Sequence, residues 1–169
     1  KIMLQKNYLA IFQNIFLVKK MPIRKIYIKN ISSKLDFKLP NYESEGAAGM
    51  DLSADIDSDI IIKPLERSLI PTGIAISLPE DLEAQIRPRS GLAIKHGITL
   101  LNSPGTIDSD YRGEIKVILV NLSNDNYTIK PYDRIAQIII SQFVKAEFEI
   151  AENLDETNRG NSGFGSTGK

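Results

Sequence analysis

The sequence has no cysteine and only one histidine among its 169 residues. The first absence excludes disulfides, thiolate metal sites and a cysteine nucleophile. The second leaves a single imidazole, His96, and excludes sites built from several histidines. An excess of charge is missing too, since 21 Lys and Arg face 21 Asp and Glu. A dedicated nucleic-acid binder normally carries a basic surplus, so no stable nucleic-acid partner is expected. Nor is there a bilayer-length apolar run. The stretch Tyr8 to Val18 is interrupted by Gln13 and Asn14 and is too short to span. No membrane association is expected, and the expected location is cytoplasmic. Chemistry must rest on carboxylates, Arg, Tyr, hydroxyls and backbone.

What is present starts with enough apolar material, 42% of residues, to build a core. The length suits one domain. Neutrality conceals an asymmetry: residues 1–30 hold seven of the 21 bases and no acid, which leaves the remainder at 14 against 21, a net of −7. Residues 1–20 are basic, apolar and Asn/Gln-rich, without a convincing small-residue cleavage site. They read as an N-terminal extension, disordered or a start-site artefact, with a basic organelle-targeting leader as the alternative. The folded domain is expected over 21–152, and a flexible, polar, Gly-rich arm over 153–169.

From Met21 onward the periodicity is that of strands. Ile26 and Ile28 alternate with Lys25, Tyr27 and Lys29; Ile74, Ile76 and Leu78 alternate, as do Leu82, Ala84 and Ile86. Glu114 to Asn121 and Arg134 to Phe143 are richer and predict strands buried on both faces. Pro, Gly and Asn clusters separate these runs. No window keeps helical spacing for three turns, and Ser90 to Lys95 predicts only a short turn. Many short strands at this spacing imply an all-β fold, a sandwich or a barrel of jelly-roll-like winding.

Two apparent motifs dissolve on inspection. Asp55, Asp57 and Asp59 with Glu66 approach the spacing of a calcium loop, but Ile60 stands where Gly is required and Ile60 to Ile62 reads as strand. Three acids on a solvated strand end is the better reading. Gly163 to Lys169 has the spacing of a Walker A loop up to its Lys, but no strand precedes it. A Gly-rich backbone with hydroxyls and Arg159 nearby can nevertheless wrap an anion. His96 reads as a turn or interface residue.

Other segments carry denser chemistry. Asp51 follows the small residues Ala47, Ala48 and Gly49. Arg89, Ser90 and Gly91 follow a strand, offering a guanidinium and backbone N–H donors suited to phosphate. Leu101 to Glu114 combines a Pro-Gly turn with Asp108, Asp110, Tyr111 and Arg112. Arg134 and Gln137 lie on a later strand.

The strings AAGMDLSA, PRSGLA, NSPGTIDSDYRGE, DRIAQ and RGNSGFGSTG stand in the order and form of the five motifs of the trimeric deoxyuridine triphosphatases (dUTPases). The resemblance runs from Ala47 to Gly168 and is carried most specifically by the third and fifth strings. It implies a jelly-roll-like distorted β-barrel that forms a homotrimer, with active sites between subunits and a mobile Gly-rich C-terminal arm closing over them. It implies hydrolysis of dUTP to dUMP and pyrophosphate with Mg²⁺, which keeps uracil out of DNA and supplies dUMP for thymidylate synthesis. By the same resemblance Asp108 orients and deprotonates the attacking water. Asn102, Gly105, Thr106, Ile107 and Tyr111 form the uracil–deoxyribose pocket. Arg89, Ser90, Gly91 and Gln137 hold phosphates, and Asp51 holds the metal's water shell. From the arm come Arg159, Gly165, Ser166 and Thr167 toward the γ-phosphate and Phe164 to stack on uracil. The related dCTP deaminases and a non-catalytic nucleotide-binding trimer are the alternatives. Asp108 and Tyr111 in dUTPase form argue against the first, and a water-activating carboxylate against the second.

Overall fold

The computed structural model describes residues 23–163. Eleven strands and one helix follow in the order β1 (Tyr27–Asn30), β2 (Gly49–Ser53), β3 (Ile60–Ile62), β4 (Arg67–Pro71), β5 (Ile74–Ser77), β6 (Leu82–Arg87), α1 (Ser90–His96), β7 (Ile98–Leu100), β8 (Gly105–Ile107), β9 (Lys116–Asn121), β10 (Tyr127–Ile129) and β11 (Arg134–Gln142). All pairings are antiparallel, and the strands form four small sheets rather than one closed barrel. These are β1–β5, β10–β3, β4–β9–β7 and the four-stranded β2–β11–β6–β8. The fold is thus all-β, as the strand periodicity implies.

The core between these sheets is aliphatic. Leu52, Ile62, Ile70, Ile74, Ile98, Ile115, Leu119, Ile129 and Ile135 are almost fully buried, with the partly buried rings of Phe37 and Tyr127 packed against the cluster. Branched side chains suit pleated surfaces, which is why so Ile-rich a sequence packs as strands. The buried exception is Asn121, whose amide donates to the carbonyls of Ile62 and Asp125 and whose oxygen accepts from Ser123. With donors and acceptor all partnered, the group ties β9 to β3 and closes the following turn instead of costing stability.

Three expectations need correction. Burial on both faces holds for the end of β9, where the consecutive residues Leu119, Val120 and Asn121 are all buried, but β11 is half-open. Its Gln137, Ile139 and Ser141 face outward from a core face of Ala136 and Ile138. The segment at Ser90 is a helix of seven residues, ended by Gly97 in the left-handed conformation at φ 64°. Two turns are too few to register as periodicity. Asp55 is not solvated. It is mostly buried and accepts from Ser32 Oγ and from Lys34 Nζ, both at 2.9 Å, whereas Asp57 is 96% exposed.

That ion pair yields a pH prediction. Lys34 Nζ also donates to the carbonyl of Ile56 at 2.6 Å, pinning residues 32–37 onto the domain. Burial works to lower the Lys34 pKa, but the hydrogen bond and charge of Asp55, with Asp57 behind them, outweigh it and raise it. A raised pKa means that the fold holds the proton more tightly than the unfolded chain. The contribution is complete below the ordinary lysine value of about 10.4 and is lost as pH climbs through the folded one. Thermal melts of the wild type and Lys34→Met should therefore differ at pH 8 and converge toward pH 12. A constant difference would assign the effect to packing.

Candidate active site

Asp51 organises the first cluster. It lies on β2, level with Gln137 of β11, which in turn is level with Arg87 of β6. Its carboxylate is 9% exposed and meets Arg89 Nε at 3.2 Å, Arg134 Nη1 at 3.0 Å and Gln137 Nε2 at 3.2 Å. A buried carboxylate requires such partners. Arg89 is the N-cap residue of α1, but its side chain makes no capping hydrogen bond. Its guanidinium turns instead to Asp51 and, at 3.0 Å, to the carbonyl of Arg134.

A β-bulge explains how Arg134 arrives there. The register of β11 against β2 shifts between Arg134 and Ala136, so Ile135 is the extra residue. In a regular strand Arg134 would share the core face of Ala136 and Ile138. The bulge moves it to the face of Asp51 and lets Ile135 sink into the core. Beside this cluster lies a cavity of about 370 Å³ lined by Arg89, Ser90, Gly91, Lys95, His96 and Gln137, with three bases and no acid on its walls. Its chemistry suits a polyanion. His96 occupies the last turn of α1, its ring 5.0 Å from that of Tyr127.

The second cluster stands at the opposite edge of the same sheet. β8 pairs with β6 through Gly105↔Ile86, Thr106↔Gln85 and Ile107↔Ala84, and its other side is a free edge. Unpaired N–H and C=O groups there can read the edge of a planar base. Gly105 is buried, and a Cβ on it would come within 3.2 Å of Asn102 Nδ2. Asp108 follows β8 on an exposed turn closed by Tyr111 N donating to Asp108 O at 3.1 Å. Its carboxylate makes no ion pair among the described residues. Tyr111 Oη donates to the carbonyl of Glu114 at 2.9 Å, which fixes the ring across Gly113.

Gly113 could not be replaced at that approach. A Cβ would lie 2.6 Å from Tyr111 Cζ and closer still to the hydroxyl. Since Tyr111 is 44% exposed, the ring can be pushed outward without unfolding the core. Gly113→Ala should therefore raise KM for the substrate about tenfold with a native melting temperature. An unchanged KM would show that the ring position does not matter.

The two clusters are well separated within one chain. From β2 to β8 is three strand spacings, about 14 Å, and the level of Asp51 differs from that of Ile107 by three residues, about 10 Å. Arg159 joins neither cluster. It lies in the exposed segment after residue 152, with Nε donating to Ser162 O at 2.8 Å. Phe164, Gly165, Ser166 and Thr167 lie outside the described residues. No group of three or more His, Cys, Asp or Glu that could hold a metal occurs among the described residues. No helix among them is long and apolar enough to cross a membrane.

Fold and site together define a class: an all-β protein with a free sheet edge, an exposed carboxylate beside it and a separate cluster of basic side chains around Asp51. The family model for dUTPase matches residues 36–168. A deoxyuridine 5'-triphosphate nucleotidohydrolase of Fusobacterium nucleatum subsp. nucleatum is 56% identical over 147 residues, covering 87% of this chain and all of that protein. That of Finegoldia magna is 60% identical over 138 residues, covering 82% of this chain and 96% of the other. The dUTPase of Staphylococcus bacteriophage 80alpha, solved with dUpNHpp, superposes with a TM-score of 0.74 at 22% identity, over 87% of this chain and 100% of that one. This chain belongs to the dUTPase family.

Proposed function

We propose that this protein hydrolyses dUTP to dUMP and pyrophosphate in the cytoplasm, as a homotrimer whose sites are shared between chains. One observation supports the reading beyond family membership: the motif residues gather into two clusters at opposite edges of one sheet, Asp51 with Arg89 and Gln137 at one and β8 with Asp108 and Tyr111 at the other. The free edge of β8 offers alternating donors and acceptors to uracil. Cytosine would leave them mismatched, at roughly 1 to 3 kcal/mol for each buried polar group. Close packing around Gly105 leaves little room for the thymine methyl, and Tyr111 would sit under the sugar and exclude a 2′-hydroxyl.

Asp108 would accept a proton from water as the water oxygen bonds to the α-phosphorus. The bond from that phosphorus to the bridging oxygen breaks, and the electron pair leaves with pyrophosphate. Arg89, Ser90, Gly91 and Gln137 would hold the outer phosphates. Arg159, Gly165, Ser166 and Thr167 of the arm would complete the clamp, with Phe164 stacked on the base. Asp51 has its oxygens occupied by Arg89, Arg134 and Gln137, so it fits a role toward a metal's water rather than direct ligation. Mg²⁺, which usually keeps several waters and takes phosphate oxygens, would arrive with the substrate and offset its charge.

Two features support assembly. The half-sites face different edges, so a complete site needs a second chain. Val144, Phe148 and Ile150 alternate in sequence with Lys145, Glu147 and Glu149 in a segment that belongs to no sheet, and these three apolar residues are more than nine-tenths exposed. A half-apolar segment of this kind calls for a neighbouring copy to cover it. The functional test is a pyrophosphate assay with Mg²⁺ across dUTP, dTTP, dCTP and UTP. Release from dUTP alone is expected. Equal rates on UTP or dTTP would refute the specificity account, and ammonia from dCTP would refute the reaction itself.

A further inference from the structure

We infer that Arg112 is a positioning residue for hydrolysis: its guanidinium fixes the Asp108–Tyr111 turn and, through it, the Asp108 carboxylate. The inference rests on the proposed reading and adds a residue to its machinery. Arg112 is exposed and makes no ion pair among the described residues. An exposed arginine of that kind ordinarily extends into water. This one folds back, and its Nη1 donates to the carbonyl of Ser109 at 2.6 Å and to that of Tyr111 at 2.9 Å. These two acceptors belong to the turn that Tyr111 N closes onto Asp108 O. Ser109 follows Asp108 directly, so a shift of the Ser109–Asp110 peptide would pass through Ser109 to the Asp108 carboxylate. The side chain also lines a groove of about 290 Å³ beside Tyr27 and Ile28 of β1 and Ile76 and Ser77 of β5. A turn otherwise open to solvent is thereby held from below by a charge-assisted pair of bonds. Misplacement of a reacting group by about 1 Å can cost around 10²-fold in rate, so loosening the turn should appear in kcat.

The experiment uses the full chain. Arg112→Ala should fold normally, bind the imido analogue dUpNHpp within about threefold of the wild type, and lose about tenfold in kcat. In an Asp108→Asn background the same change should cost nothing further, because the carboxylate it positions is gone. Added guanidinium should restore part of the rate to Arg112→Ala and none to the double variant. Native kcat, loss of analogue binding equal to the loss of kcat, or multiplication of the two defects would each overturn the inference. If the alanine variant is unstable, Arg112→Lys carries the test, with a smaller kcat loss expected at native analogue affinity. Absence of pyrophosphate release by the wild type would instead strike the proposed reaction.

Discussion

Asp108→Asn should bind dUTP with near-native affinity and hydrolyse it at least about 10²-fold more slowly, the lower end of what general-base help contributes. The substitution keeps shape and hydrogen-bonding reach but removes the ability to take the proton from water. A hundredfold loss corresponds to about 2.7 kcal/mol on the barrier. Stability should hardly change. Asp108 is exposed, pairs with no cation among the described residues and sits on a turn closed by its backbone, not its side chain. Surface changes away from such partnerships usually stay within about 0.5 kcal/mol. Single-turnover pyrophosphate release, analogue binding and a melting curve on one preparation separate these effects. Turnover within a few-fold of the wild type would remove Asp108 from its role. A matching loss of binding would make it a substrate contact instead.

Much of this was legible in the sequence. Alternation of Ile with polar residues marks β5 and β6 because the period of a strand is two, and the aliphatic core follows from the same residues. The motif strings pointed to Asp51, Arg89 and Gln137, and the fold gathers these three. Other features depend on register, which no local pattern carries. The bulge at Ile135 decides that Arg134 faces Asp51, yet nothing in RIAQ distinguishes a bulged strand from a regular one. Asp55 resembled a solvated acid because its partner, Lys34, is remote in sequence and reaches it only after residues 32–37 fold back. Arg112 drew no role because its acceptors are backbone carbonyls, invisible in a string of side chains. The resemblance already implied sites between subunits, and the strand order adds that Asp51 and β8 occupy opposite edges of one sheet.

That separation makes the last prediction the most demanding. Arg89→Ala should lower activity by roughly 10- to 100-fold, since it removes a charge-assisted contact of about 1.5 to 3 kcal/mol while Arg134 and Gln137 still hold Asp51. Asp108→Asn is impaired at the other half-site. If each site takes its carboxylate from one chain and its phosphate clamp from another, the two defects can be sorted into different sites. In trimers assembled at random from equal amounts of both variants, the Asp108 side is intact half the time, and so is the Arg89 side. About a quarter of the sites are then whole, and activity should rise from nearly nothing to about a quarter of the wild-type value. The exchange is what the proposed shared site predicts, since Asp51 and the β8 edge that leads to Asp108 stand at opposite edges of one four-stranded sheet. Co-refolded mixtures, with each variant alone refolded in parallel, provide the measurement. No recovery in a mixture shown by mass to contain hybrid trimers would place both half-sites on one chain and refute the shared site.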